Sequence, residues 1–159
     1  MEESRISRWV VLGALLAGMA VMTGAIAAHG IESHLTKSYE GQTRTTVGIE
    51  IPAAQKYLAD FKTASQYQMY HALGIILVGL LAGRFRSRLL TAAGWAFLIG
   101  ISLFSGSLYV LSLMAHGFSD GTRHAIGLTA ATGGTTFIIG WICLAIGALS
   151  TSKNSSQLR

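Results

Sequence analysis

Five histidines and one polar helical turn carry the side chains of this sequence that are best suited to chemistry. The polar turn is "SQYQMYH", residues 65–71, which contains Tyr67 and Gln68 and ends at His71. The other histidines stand at four further positions: His29, His34, His116 and His124. Imidazole is the commonest metal ligand in proteins and exchanges protons near neutral pH. Because His71 follows Gln68 by three residues and Tyr67 by four, the three side chains share one helical face.

A ligand site is one interpretation of these residues. It places His71 and His29 opposite each other on two neighbouring helices, with Gln68 and Tyr67 beside them, and it suits a haem, a divalent metal or a quinone-type ligand. The support from motifs is weak, because the sequence has no HxxxH, HExxH or CxxC pattern and no carboxylate in an apolar stretch to complete a metal shell. The sequence therefore predicts cofactor-binding residues as a hypothesis and no metal ligands.

Interfacial placement and helix packing are the competing interpretation. Histidine, tyrosine and tryptophan tolerate headgroup depth, and a buried Gln68 or His71 would hydrogen-bond a neighbouring helix for about 0.6 kcal/mol. Ser102, Ser105 and Ser107 have no acid–base pair nearby in sequence, so no catalytic residue is predicted. An enzyme and a coupled transporter both lack a sequence signal.

The elements that must position these side chains are apolar helices. The chain of 159 residues is 51% hydrophobic and 12% charged, half the charge of a typical soluble domain. Residues 9–28, 89–115 and 125–149 contain no charged side chain, and each stretch is long enough to cross a bilayer. The sequence predicts an all-α integral membrane four-helix bundle in one domain, 1–149, followed by a polar tail, 150–159. The predicted spans are 9–29, 63–83, 89–115 and 125–149.

Basic residues predict the orientation. Seven of them fall on one side of a four-span topology: Arg5, Arg8, Arg84, Arg86, Arg88, Lys153 and Arg159. The positive-inside rule then places both termini in the cytoplasm, with no role for nucleic acid. Residues 1–27 also resemble a signal peptide with a site at Ala25–Ala27. Cleavage would leave three spans and put the basic loop at Arg84–Arg88 and the basic C-terminus on opposite sides of the membrane. The sequence therefore favours a chain that keeps residues 1–27. In a bacterium the membrane would be the cytoplasmic one.

The first connection, residues 30–62, is predicted to be extracytoplasmic. Its first part, up to Ile51, reads as an irregular loop, and Pro52 then begins an amphipathic helix that enters the second span. Under this topology all five histidines belong to the outer half of the membrane. Small residues at helical spacing predict close helix packing at Gly24 in the first helix, at Ser105, Gly106 and Tyr109 in the third, and at Gly133 and Gly140 in the fourth.

Four segments resemble a known family. They are "GAIAAHGI" from Gly24, "FKTASQYQMYHAL" from Phe61, "LFSGSLYVLSL" from Leu103 and "GGTTFIIGW" from Gly133. In this order the sequence resembles the YgdD-like small membrane proteins, a domain of unknown function (423) that is also found in transmembrane-protein-256-like chains. The resemblance implies an uncleaved four-helix protein with no established activity. It places Tyr67, Gln68 and His71 on signature positions.

Two departures from that family bear on the chain. Residues 38–51 look like an insertion, and the proline expected before the Gly133–Gly134 pair is missing. Three hypotheses for function follow. The first is a non-enzymatic structural or accessory bundle in the lipid bilayer, with a membrane-protein partner or a second copy of itself. The second is a haem-, metal- or quinone-binding protein using outer-leaflet histidines, and the third is a small-solute transporter or channel component.

Overall fold

The computed structural model describes residues 2–85 and 87–156, and side chains from Arg8 to Leu149 apart from Arg86. The predicted topological roles of Arg86 and Arg159 lie outside the described residues, as do the side chains of Arg5 and Lys153. The described chain is mostly helical. Its elements, in order, are α1 (Glu2–His29), α2 (Glu32–Ser38), β1 (Thr43–Thr46), β2 (Ile49–Pro52), α3 (Ala53–Arg84), α4 (Arg88–Gly100), a π-helical turn (Ile101–Ser105), α5 (Gly106–Met114), a 3₁₀ turn (Ala115–Gly117) and α6 (Asp120–Ser156).

Three helical stretches of the described residues are long and apolar enough to cross a membrane. They are Arg8–His29, Arg88–Gly117 and Asp120–Leu149. The second of these runs continuously through α4, the π-helical turn, α5 and the 3₁₀ turn. The 32-residue helix α3 is long enough but too polar, because its first part carries Lys56, Asp60 and Lys62 and the polar turn Gln66–His71 precedes its apolar part. The described chain thus contains three apolar helical stretches and one long helix, α3, that is polar in its first part and apolar in its second.

The helices pack antiparallel in pairs. Along α1 and α3, Gly13 lies against Ala72, and the side chain of Gln68 reaches the carbonyl of Leu16. Along α4 and α6, small residues of α6 receive large side chains, as where Gly140 lies against the ring of Phe97. Small residues at these crossings let two backbones approach closely, which is how helices associate in lipid.

This packing fixes the relative depth of the polar turn. The midpoints of the three apolar spans lie next to Gly18, Ser102 and Gly134, and the interhelical contacts bring all three to one level. On α3 that level falls at Gln66 and Tyr67. His71 lies about one helical turn from that level, toward the end that carries Arg8. Helix α3 begins at Ala53 and runs antiparallel to α1 from the end of α1 that carries His29.

The predicted irregular loop after α1 is folded, and the all-α prediction is wrong in this segment. It contains α2 and an antiparallel hairpin in which Thr43 pairs with Pro52 and Thr46 with Ile49. The hairpin turns at Val47 and Gly48, whose φ angles of 52° and 78° are left-handed. Glycine adopts this conformation freely, but a β-branched valine is strained there. Pro52 ends β2 and caps α3, as its fixed φ favours.

A buried apolar cluster attaches this outer segment to the helices. Leu35 of α2 and Tyr39, which follows the helix, are almost fully buried against Tyr57 and Phe61 of α3. The Tyr39 hydroxyl donates to the carbonyls at Leu111 and Ser112, both at 3.2 Å. Burial raises the pKa of the Tyr39 phenol, and the adjacent Tyr57 adds to that shift. The outer segment is therefore a folded cap rather than a tethered loop.

Candidate functional site

A chain of hydrogen bonds joins three helices near the level of the midpoints of the apolar spans. The Gln68 Nε2 donates to the carbonyl of Leu16 at 2.9 Å, and Tyr109 donates its hydroxyl to Gln68 Oε1 at 3.1 Å. The Tyr109 oxygen also lies 2.9 Å from Thr23 Oγ1. Both ends of the Gln68 amide are thus bonded to neighbouring helices, Leu16 on α1 and Tyr109 on α5. In a low-dielectric interior this satisfies a group that would otherwise be costly to bury.

Buried serines add further bonds between helices. Ser65 Oγ donates to the carbonyl of Ala20 on α1 at 2.8 Å, and Ser105 Oγ donates to that of Ala64 on α3 at 2.9 Å. Near the cap, Ser112 Oγ donates to the carbonyl of Tyr57 at 2.9 Å. Each acceptor is a backbone carbonyl, which has a second lone pair beyond its helical bond. These hydroxyls therefore connect helices and are not arranged as nucleophiles with a base.

The π-helical turn Ile101–Ser105 lies at the same level and overlaps the first three residues of the family-like motif "LFSGSLY", residues 103–109. Single π-helical turns are rare and occur frequently at functional sites. Here the turn brings the backbone of Phe104 into contact with Gly133 of α6, so that a Cβ at Gly133 would collide with the backbone nitrogen of Phe104. No sequence signal for this turn was recognised, since π-helices have no local residue code comparable to a cap or a β-turn.

His71 is buried among aromatic rings. Its Nδ1 lies 2.7 Å from the carbonyl of Tyr67, so that Nδ1 carries the proton of the neutral ring and Nε2 keeps the lone pair. The imidazole stacks on Phe137 at 3.4 Å between centroids and 7° between planes. Phe97 and Trp141 complete the surroundings, at 5.5 and 6.0 Å. The predicted site residue Tyr67 is exposed, and its ring lies 4.7 Å from that of Phe104.

The structure does not bring His29 and His71 together. The register of α1 against α3 puts His29 level with the first turn of α3, about 20 Å along the axis from His71. His29 is exposed and lines an open cavity of about 960 Å³ under the cap, with Glu32, Lys37 and Glu40. Within the described residues, no group of three or more His, Cys, Asp or Glu side chains could hold a metal ion.

The small residues that were predicted to pack between helices differ in how closely a neighbouring helix approaches them. A Cβ on Gly24 would lie 3.2 Å from Ser65 Oγ, and one on Gly140 would lie 2.7 Å from the Phe97 ring. A Cβ on Gly106 would meet open space. Gly79 and Gly94, which make room for the side chain of Trp9, were not predicted as packing residues. Only the pairing of a glycine with a bulky residue on another helix could have identified them.

Comparison with known proteins identifies a set of relatives of this chain. A family model described as "Protein of unknown function (DUF423)" matches residues 23–134. The UPF0382 membrane protein of Staphylococcus saprophyticus is 38% identical over 139 residues, covering 87% of this chain and 94% of its own. The UPF0382 membrane protein YwdK of Bacillus subtilis is 38% identical over 143 residues, covering 89% and 95%. A UPF0382 membrane protein of Haemophilus influenzae is 34% identical over 148 residues, covering 92% and 98%. No solved structure matches the chain.

Proposed function

The chain belongs to the DUF423 family of uncharacterised membrane proteins, and we propose that it acts there as a non-enzymatic structural or accessory component. The observation that carries this proposal is the use made of the buried polar side chains. Gln68, Ser65 and Ser105 each direct their hydrogen-bonding atoms at a neighbouring helix. These hydrogen bonds hold the helices in register, and the polar atoms that form them are not directed at a substrate.

The proposed topology is a four-helix bundle in a bacterial cytoplasmic membrane, with both termini inside. In it α1, α3, the α4–α5 helix and α6 cross, and the crossing part of α3 is about residues 56–77, the stretch level with Arg8–His29. Arg8, Arg84 and Arg88 then lie at the inner end, as positive-inside bias favours. The cap formed by α2 and the hairpin lies outside.

An exposed stripe on α3 supports a partner in the membrane. Lys62, Gln66 and Tyr70 are exposed at successive helical turns, and Leu73, Leu77 and Leu80 continue the stripe. Gln66 lies at mid-depth, where an amide facing lipid leaves its donors and acceptor unsatisfied. A second copy of the chain offers the same amide across a two-fold axis, and an amide can pair with its own kind. Lys62 lies one turn nearer the outer surface and can extend its ammonium to the headgroups.

Cysteine crosslinking in membranes tests this proposal. In a Cys143→Ser background, Gln66→Cys is expected to form a disulfide dimer on oxidation. Met19→Cys serves as the control, because Met19 is exposed at the same depth on α1. Equal crosslinking of the two variants would exclude a second copy on this face. Labelling of Gln66→Cys by a membrane-impermeant maleimide would instead contradict the membrane-embedded position of α3.

A further inference from the structure

A groove between α1 and α4 opens at the end of the molecule that carries the arginines. Its volume is about 390 Å³, and its lining consists of Arg8, Trp9, Leu12, Thr91, Trp95 and Leu98. Arg8 is the first residue of one apolar span, and Thr91 lies in the first turn of another. The groove therefore begins where the hydrocarbon core meets the headgroups and runs inward from there.

The chemistry of the lining changes with depth. A guanidinium and a hydroxyl stand at the rim, two indoles follow, and the two leucines form the deeper part. This order matches that of a phospholipid, whose phosphate lies above its glycerol backbone and acyl chains. We propose that the groove binds one anionic phospholipid, with its phosphate at Arg8 and an acyl chain along Leu12 and Leu98.

The two tryptophans give the groove a preformed wall. Trp9 is buried, and its indole fits against Gly94, where a Cβ would approach the ring to 2.8 Å. Trp95 meets it edge to face at 5.7 Å between centroids and 82° between planes. Trp95 remains 57% exposed, which leaves one indole face for lipid. Tryptophan is favoured at this level of a bilayer because its ring is apolar and its N–H can hydrogen-bond.

Arg8 has the charge and the freedom to bind a phosphate. Its side chain is exposed, and within the described part of the chain it has neither an ion-pair nor a hydrogen-bond partner. A guanidinium binds phosphate oxygens in a fork-like geometry and prefers them to a neutral surface. One arginine at an anionic membrane surface contributes about 1 kcal/mol, which corresponds to about a fivefold preference for an anionic over a zwitterionic lipid.

Quenching of tryptophan fluorescence by brominated lipids tests the site. A Trp141→Phe variant, reconstituted in vesicles, leaves Trp9 and Trp95 as reporters at the groove. We expect brominated phosphatidylglycerol to quench it with about fivefold higher relative affinity than brominated phosphatidylcholine. Adding Arg8→Gln should remove the preference, whereas Arg84→Gln, an exposed cation at the same end, should keep it.

Two results would overturn the proposal. One is an unchanged lipid preference in the Arg8→Gln protein. The other is an equal loss in the Arg84→Gln protein, which would assign the preference to the overall charge of that end. Trp141 supplies an internal reference, because it is exposed on α6 at nearly the depth of Trp95 and outside the groove. In a Trp9→Phe, Trp95→Phe protein, where Trp141 is the tryptophan that remains, Arg8→Gln should leave the quenching unchanged.

Discussion

At the scale of single residues, the role of His71 distinguishes a structural bundle from a ligand-binding protein. Its ring is held by Phe137 on one face and by the carbonyl of Tyr67 at Nδ1. Nε2 remains as the atom with which a ligand would have to bind. A stacked imidazole in an aromatic cluster stabilises the contact between α3 and α6, and this structural role is the one that our proposed function requires.

We therefore predict that His71→Ala lowers stability without removing a chromophore. Loss of the ring leaves a cavity beside Phe137, which costs about 2–3 kcal/mol on the scale of large-to-small core substitutions. The measurement is an absorption spectrum with metal analysis of the detergent-purified protein, followed by unfolding in mixed micelles. His124→Ala is the matched control, since His124 is exposed. A Soret band or a stoichiometric metal that is present in the native protein and lost in His71→Ala would contradict the prediction.

Residue identity predicted part of this site and missed its geometry. Tyr67, Gln68 and His71 were selected from their polarity in an apolar context, which is visible in one segment. The partner of Gln68 was not predicted, because Leu16 contributes only a backbone carbonyl and any residue has one. The same holds for Ala64, whose carbonyl accepts from Ser105. The pairing of His71 with His29 was assumed from the proximity of two helices. It depends on the register between them, which the local pattern does not encode.

At the scale of elements, the π-helical turn and α6 form a close backbone contact between Phe104 and Gly133. We predict that Gly133→Ala destabilises the protein by about 1–3 kcal/mol, because a Cβ at this position overlaps the backbone of Phe104 and a backbone cannot rotate away. The measurement is the free energy of unfolding in mixed micelles or bicelles.

Gly106→Ala is the control for that substitution. Both glycines were predicted as packing residues, but a Cβ at Gly106 meets open space, and alanine favours a helix more than glycine does. Gly106→Ala should therefore leave stability unchanged or raise it. Equal destabilisation by the two substitutions would show that glycine acts here through the backbone conformation of its own helix and not through contact between helices.

The elements themselves were predicted unevenly. Long apolar stretches identify helices well, since a chain in lipid must satisfy its own backbone hydrogen bonds. The hairpin was missed because its strands have four residues each and its turn begins with Val47, where asparagine or glycine would have given the usual signal. The start of α3 was recognised from Pro52, whose effect on the backbone is local.

At the scale of the whole molecule, depth and orientation decide how each surface is used. In the proposed topology, the same levels that put Gln66 at mid-depth put Arg8 at one membrane surface and the hairpin tip beyond the other. The face of α3 that we propose as an interface and the groove that we propose for lipid are both defined by this alignment. A shift of α3 by several residues would move Gln66 to the headgroups and remove the argument for a partner there.

The orientation leads to a final prediction, made with single cysteines in a Cys143→Ser background. Val47 is 95% exposed at the hairpin tip, and Arg84 is exposed at the opposite end. In intact cells, a membrane-impermeant maleimide should label Val47→Cys and leave Arg84→Cys unlabelled until the cells are lysed. The reverse pattern would invert the topology and place the arginine end outside, against the positive-inside bias. Labelling of both positions before lysis would mean that α3 does not cross, and the stripe through Gln66 would then face water, where an exposed amide needs no partner.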